Sequence, residues 1–163
     1  MALFSSEIRT IDDLFVNTLR DIHYAEKQIA EALPHMIDKA RSRPLKRVFQ
    51  AHLKEARNQI KRVEQVFQMH GARPKHIDCP AIDGILEEAI DIGGAVPDNG
   101  VIDAALVAAL RVVEHFEIAR YGALVAWAKE LGRDDCAMLL QQNLAEEKAV
   151  DRKLGVLAAS EAR

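Results

Sequence analysis

Apolar residues recur at steps of three and four along four long segments of the chain, and this repeat restricts the fold more than any other feature. Such a spacing places the apolar side chains on one face of an α-helix. The segments are residues 10–40, 43–70, 101–131 and 134–159. A half-buried strand would show alternation at every second residue, and no segment does so convincingly. The sequence therefore predicts an all-α protein built on four long amphipathic helices.

Residues suited to helix ends stand where these helices should begin and end. Thr10 and Ser42 precede the first two segments, and their side-chain oxygens can accept hydrogen bonds from the free N–H groups of a first turn. Gly71 is a typical C-terminal cap for the second segment, and the third ends at Gly132. Pro34 lies inside the first segment, where the apolar pattern continues beyond it, so we expect a kink there and no helix end.

The lengths of the connections predict how the helices are arranged. The first and third connections have only a few residues, so the helices that they join should form antiparallel hairpins. The middle connection, residues 72–100, is far longer than a usual loop and carries an apolar pattern over 81–92 that predicts a short extra helix. A single long crossover is the connection pattern of ferritin-like four-helix bundles. We expect one such domain over residues 1–163.

Composition excludes several classes of protein. Apolar residues make up 49% of the 163 residues, which is too much for a disordered chain and enough for one core. A net charge of -3 argues against a nucleic-acid partner, which would require a basic face. No stretch approaches about 18 consecutive apolar residues, and the start of the chain lacks the apolar core of a signal peptide. We therefore expect a cytoplasmic protein with no membrane partner.

Acidic residues occupy core-side positions of the apolar stripes, where an unpaired charge is costly. A pair of metal ions shared between the helices would compensate several such charges at once. Carboxylate and imidazole ligands suit iron, manganese and zinc, and we expect a di-metal centre with iron as the first candidate. The candidate ligands, in chain order, are Glu26, His52, Glu55, Glu114, Glu117, Glu147 and Asp151.

Each candidate also has a purely structural interpretation. A single glutamate near an apolar stripe is more often a solvated edge residue, as we expect for Glu55 considered alone, and Asp151 could face solvent. The heights of these residues along the helices favour a shared site. Glu26 and Glu55 lie at similar distances from the first loop, and Glu114 and Glu147 lie at similar distances from the third. In an antiparallel hairpin, residues at equal distances from the loop lie at the same height, so each pair should meet. The alternative that stays open is a non-catalytic helical bundle whose buried polar groups neutralise one another without a metal.

Several motifs resemble those of the YciE/YciF family of ferritin-like proteins, and the similarity runs over about residues 8–158. The resemblance implies a small ferritin-like bundle, a homodimer, and an association with bacterial stress responses. Its expected chemistry is a redox reaction of bound metals with peroxide or O₂, or metal binding alone. The motifs are Tyr24-Ala25-Glu26-Lys27-Gln28-Ile29, His52-Leu53-Lys54-Glu55, Cys79-Pro80-Ala81-Ile82-Asp83-Gly84, Glu114-His115-Phe116-Glu117-Ile118-Ala119-Arg120-Tyr121-Gly122 and Glu146-Glu147-Lys148.

The resemblance also assigns positions in the wider ferritin-like pattern, which has a Glu on two helices and a Glu-x-x-His on the other two. Glu26 and Glu114 match the single glutamates, and Glu55 and Glu147 match the glutamates of the second motif. The two histidines of that motif are absent here. Asn58 and Val150 stand in their places, and the nearby substitutes are His52, Gln59, Glu117 and Asp151.

Overall fold

Five α-helices make up the protein in a computed structural model that describes residues 8–96 and 101–161. The four long helices agree with the predicted segments to within one or two residues at each end. Helix α1 continues through Pro34, as the apolar pattern predicted. The described residues contain no strand, which confirms the all-α class. The helices are α1 (Ile11–Lys39), α2 (Arg43–His70), α3 (Pro80–Ala95), α4 (Ile102–Glu130) and α5 (Asp134–Glu161).

Local capping begins and ends the helices at the predicted residues. The Thr10 hydroxyl accepts a 3.0 Å hydrogen bond from the N–H of Asp13, whose carboxylate accepts one from the Thr10 N–H. The two bonds close a capping box. Ser42 Oγ accepts a 3.3 Å hydrogen bond from the N–H of Leu45 at the start of α2. Gly71 ends that helix with φ of 75°, a left-handed conformation that glycine adopts without strain.

The long helices form a ring in the order α1, α2, α5, α4, in which each packs against its two neighbours. Asp103, near the start of α4, accepts hydrogen bonds of 2.7 and 2.6 Å from the backbone N–H groups of Arg41 and Ser42, just after α1 ends. Further along α4, Tyr121 contacts Glu26 in the middle of α1. The reversed order of these contacts shows that α1 and α4 are antiparallel. For α2 and α5 the same result follows from the contacts of Gln59 with Glu147 and of Met69 with Arg133.

Helix α3 lies in the crossover and covers one side of the bundle, against α1 and α4. It is longer than the predicted segment 81–92 at both ends. Its buried side chains include Ile82 and Leu86, which complete the core of their own chain. The Tyr24 hydroxyl of α1 donates a 2.8 Å hydrogen bond to the carboxylate of Asp83 and so attaches α3 to the bundle. The crossover therefore contributes a fifth helix to the apolar core.

The core between the long helices contains the apolar side chains of the predicted stripes. Phe15, Phe49 and Tyr121 are among its largest fully buried members. Cys79 and Cys136 are buried as free thiols. Within residues 8–96 and 101–161, no helix is long and apolar enough to cross a membrane.

Candidate metal centre

Eight polar side chains, contributed by all four long helices, lie together in the middle of this otherwise apolar core. They occupy stripe positions three, four or seven residues apart, so the helical repeat turns them inward with their apolar neighbours. We call these residues the polar cluster, and every one of them is 0% exposed. Its members are Glu26 of α1, His52 and Gln59 of α2, Glu114, Glu117 and Tyr121 of α4, and Asn143 and Glu147 of α5.

Four members of the polar cluster have the spacing of a coordination shell. His52, Glu114, Glu117 and Glu147 each offer a ligand-type atom, and these four atoms lie within 4.8 Å of one another. Bonds from nitrogen or oxygen donors to metal ions such as zinc and magnesium measure about 2.0–2.2 Å, so donors on opposite sides of one ion lie about 4 Å apart. The four donors could therefore surround a metal ion with little rearrangement.

The distance between His52 and Glu114 is also short enough for both to be ligands of one ion. The His52 Nε2 atom lies 3.0 Å from the Glu114 Oε1 atom. Neither atom has a hydrogen-bond partner, so the short distance does not come with the alignment of a hydrogen bond. Two neighbouring ligand atoms of an octahedral ion lie about 3 Å apart when each metal–ligand bond is about 2.1 Å long. The lone pairs of both atoms then point at the ion and not at each other.

Buried polar atoms without a hydrogen-bond partner are concentrated at this one place. Among the described residues there are ten such side-chain atoms, and every one belongs to the polar cluster or to Glu55. Buried polar groups in native proteins nearly always have partners, so this concentration marks a place where a group that accepts lone pairs could bind. The residues that carry these atoms are Glu26, His52, Glu55, Gln59, Glu114, Glu117 and Glu147.

Burial raises the pKa of the clustered carboxyl groups. The pKa rises to about 8 for Glu26 and for Glu114, and it lies well above the usual range for Glu117 and Glu147. Loss of solvent around the charged form is the largest cause in all four cases, and the negative charges of neighbouring carboxylates raise the pKa further. Without a compensating cation, these groups retain protons near neutral pH.

In two of the carboxylates, those of Glu26 and Glu147, one oxygen accepts a hydrogen bond and the other does not. The Tyr121 hydroxyl donates to Glu26 Oε1 and accepts a 3.0 Å hydrogen bond from Asn143 Nδ2. The Gln59 amide donates to Glu147 Oε1. The second oxygens of Glu26 and Glu147 have no hydrogen-bond partner. This arrangement orients both carboxylates and keeps one donor atom of each available for a ligand.

The remaining two predicted ligands, Glu55 and Asp151, occupy different surroundings. Glu55 is half-buried, its Oε2 atom is buried without a partner, and its charge contributes to the raised pKa of Glu114, so it borders the polar cluster. Asp151 lies outside the group of four close donors, where its carboxylate accepts a 2.8 Å hydrogen bond from Arg111 Nε and lies 3.2 Å from His115 Nε2. The hydrogen bond from Arg111 is the largest cause of a lowered pKa of Asp151.

Because Arg111 already neutralises Asp151, we expect Asp151→Asn to leave the metal content of the protein unchanged. The Arg111 side chain is 40% exposed, so the loss of this ion pair should lower the free energy of unfolding by less than about 1 kcal/mol. Elemental analysis and a thermal melt of the variant test both statements. Loss of a bound ion in the variant would return Asp151 to the ligand set.

Two features of the site were not predicted from the sequence. Asn143 is fully buried one helical turn before Glu147, and a polar residue at that spacing from a candidate ligand was a usable signal. The second feature is an ion pair in which Arg62 Nη1 lies 2.8 Å from Glu146 Oε2 and also donates a 2.9 Å hydrogen bond to Asn143 Oδ1. Both charged residues lie at the edge of the helix interface, where charged side chains are common and carry no sequence signal.

Four antiparallel helices with one long crossover, and with polar side chains from all four meeting in the core, define the ferritin-like class of helical bundles. A family model described as a domain of unknown function, DUF892, matches residues 10–163. The protein belongs to this ferritin-like family, which confirms the resemblance seen in the sequence motifs.

Relatives of known structure are similar over nearly their whole length. YciF from Escherichia coli strain K12 is 41% identical over 152 residues, which are 93% of this chain and 92% of YciF. The crystal structure of this E. coli stress protein matches with 40% identity and a TM-score of 0.92, over 95% of this chain and 98% of that one. YcfI from Rhodopseudomonas palustris, for which a structural role is suggested, matches with 51% identity and a TM-score of 0.89, over 93% and 97% of the two chains.

Proposed function

We propose that this protein binds a pair of metal ions in the polar cluster and acts as a di-metal carboxylate protein. The expected metal is iron, with manganese or zinc as alternatives. The single observation that carries the proposal is the concentration, among the described residues, of ten unpartnered, buried polar atoms at the meeting point of four helices. Nine of them can offer a lone pair to a metal, because one ring nitrogen of neutral His52 carries a hydrogen. The residues that would hold the ions are Glu26, His52, Glu55, Glu114, Glu117 and Glu147, while Asp151 belongs to the ion pair with Arg111.

The donor set fits such a pair of ions in both chemistry and charge. Carboxylate oxygens with a single imidazole nitrogen are ligands that iron, manganese and zinc accept. Two divalent cations would bring four positive charges to the five carboxylates of the ligand set. The cations would therefore remove most of the charge that otherwise makes burial of these groups costly.

A bound iron pair would supply redox chemistry with peroxide or O₂, whereas zinc would supply binding alone. The chain's own residues orient the ligands: Tyr121 and Gln59 each hold one oxygen of a carboxylate. The surrounding apolar side chains, such as Ile22 and Leu110, exclude bulk water from the cluster. Similarity to the E. coli stress protein YciF supports a role during stress. The handling of oxidants or metal, the homodimer and the cytoplasmic location are further parts of the proposal.

A second candidate function is that of a non-catalytic structural bundle. Hydrogen bonds among Gln59, Arg62, Asn143 and Glu146, together with the structural role suggested for YcfI, favour it. These bonds satisfy the outer side of the polar cluster. They leave ten inner atoms of the described residues without partners when the carboxyl groups are ionised, and only retained protons, as between Glu114 and Glu147, would pair some of them. For this reason we prefer the metal-binding proposal.

Elemental analysis of the protein, purified without added chelator, tests the choice between the two candidates. We expect close to two ions per chain, and recovery of that content when chelator-treated protein is reloaded with Fe²⁺ under anaerobic conditions. Absence of metal in both preparations would reject the di-metal proposal and favour the structural bundle.

A further inference from the structure

We propose that Gln59 is an additional ligand of the metal centre, a neutral oxygen donor whose orientation is fixed by the Arg62–Glu146 ion pair. The inference rests on the proposed function, and it adds a neutral amide to a group of close donors that consists of one histidine and three glutamates. Gln59 lies seven residues after His52 and four after Glu55, so all three side chains project from the same face of α2.

The hydrogen bonds of the Gln59 side chain are unevenly distributed between its two polar atoms. Its Nε2 atom donates to Glu147 Oε1 and, over 3.0 Å, to Glu146 Oε2, so both N–H groups have acceptors. Its Oε1 atom is buried and has no partner, although an amide oxygen can accept two hydrogen bonds. The side chain is 0% exposed, so bulk water does not supply the missing partner.

The opposite orientation of this amide is chemically unfavourable. When Glu147 is ionised, as a metal ligand must be, exchange of the two atoms would place Oε1 against one oxygen of Glu146 and one of Glu147, and three acceptors would then face one another. The two carboxylates therefore direct the N–H groups toward themselves and leave Oε1 as an unpartnered donor atom. It lies about 2.3 Å from Nε2 within the same amide group, and thus close to Glu147.

The Arg62–Glu146 ion pair lies at the edge of the helix interface and fixes the orientation of the Gln59 amide. Arg62 Nη1 lies 2.8 Å from Glu146 Oε2, the same oxygen that accepts the hydrogen bond from Gln59. The second partner of Arg62 Nη1 is Asn143 Oδ1, while Asn143 Nδ2 donates over 3.4 Å to the backbone carbonyl of Gln59. Arg62 and Glu146 are thus positioning residues, and Gln59 is the residue that would contact the metal.

Binding of Zn²⁺ and Mn²⁺ to chelator-treated, full-length protein tests this inference. We expect Gln59→Leu, which keeps the size of the side chain but lacks the amide, to weaken the binding of one of two ions at least about tenfold, in the range found when groups around metal sites are removed. Arg62→Met should weaken binding of the same ion, because the Gln59 amide is then no longer held in its orientation. Arg62→Lys keeps the positive charge and should restore much of the affinity. Lys61→Met changes an exposed neighbouring cation and is the matched control, with wild-type affinity expected.

The visible absorption of bound Co²⁺ adds a readout that a change in stability alone does not move. We expect an altered Co²⁺ spectrum in Gln59→Leu and a wild-type spectrum in Lys61→Met. Wild-type affinities and spectra in both Gln59→Leu and Arg62→Met would overturn the inference and leave the proposed function intact. Failure of the wild-type protein to bind any of the three ions, or Fe²⁺ under anaerobic conditions, would overturn both. If Gln59→Leu does not fold, Arg62→Met decides alone, because Arg62 lies at the edge of the interface.

Discussion

Metal ions are expected to raise the melting temperature of the wild-type protein by about 5–10 °C per site, and Glu147→Gln should abolish most of this gain. A ligand present at about 100 times its Kd stabilises the folded state by about 2.7 kcal/mol. For a chain of this size, about 1 kcal/mol corresponds to about 2–4 °C. Glu147 is fully buried in the group of four close donors, and its Oε2 atom has no other partner.

The behaviour of this variant without metal distinguishes a ligand from a structural residue. Glutamine has the size of glutamate, and its side-chain oxygen can still accept the hydrogen bond from Gln59. It also removes one member of a set of carboxyl groups whose charges oppose one another. We therefore expect chelator-treated Glu147→Gln to melt no lower than chelator-treated wild type.

The experiment consists of thermal melts of both proteins, each with a chelator and with excess Fe²⁺ under anaerobic conditions, Mn²⁺ or Zn²⁺. Glu31→Gln is a suitable control, because Glu31 is an exposed glutamate of α1. It should keep the full metal-dependent gain. A wild-type protein that gains nothing from any of the metals, together with a variant that melts lower in every condition, would contradict the prediction.

The chelator-treated protein is expected to become less stable as the pH rises from about 5 to 8. The pKa of Glu26 and of Glu114 rises from an ordinary value of 4.5 to about 8 in the folded state. Below the ordinary value, both states are protonated and these groups do not affect stability. Between the two values, the unfolded chain ionises while the folded protein keeps its protons, so each group lowers the free energy of unfolding by on the order of 1 kcal/mol per pH unit.

Bound metal should reverse this dependence over the same pH range. The ligands must lose their protons before they bind, so metal affinity increases with pH. We therefore expect the melting temperature to fall between pH 5 and 8 when a chelator is present, and to rise or stay constant over that range when metal is bound. Glu114→Gln should flatten the curve of the chelator-treated protein, whereas Glu31→Gln should not. Identical pH profiles with and without metal would contradict the prediction.

Local information in the sequence was sufficient for the helices and their connections. The capping box at Thr10 closes within four residues, and the apolar repeat defines the buried face of each helix without reference to its partner. Loop lengths then determined which helices form antiparallel hairpins, because a connection of three residues leaves no room for another path. For the same reason Glu26, Glu114 and Glu147 were recognised as inward-facing from their own helices alone.

Tertiary structure decided which polar residues share a site. Glu147 and Asp151 lie one turn apart on α5, so the helix repeat alone does not distinguish them. They differ because Asp151 forms an ion pair with Arg111, which lies 40 residues earlier in the chain. The partners of Gln59 lie 87 and 88 residues away, so no local pattern could have predicted the orientation of its amide. A helix repeat shows which side chains face inward, whereas their partners depend on the register between helices, which only the packed bundle determines.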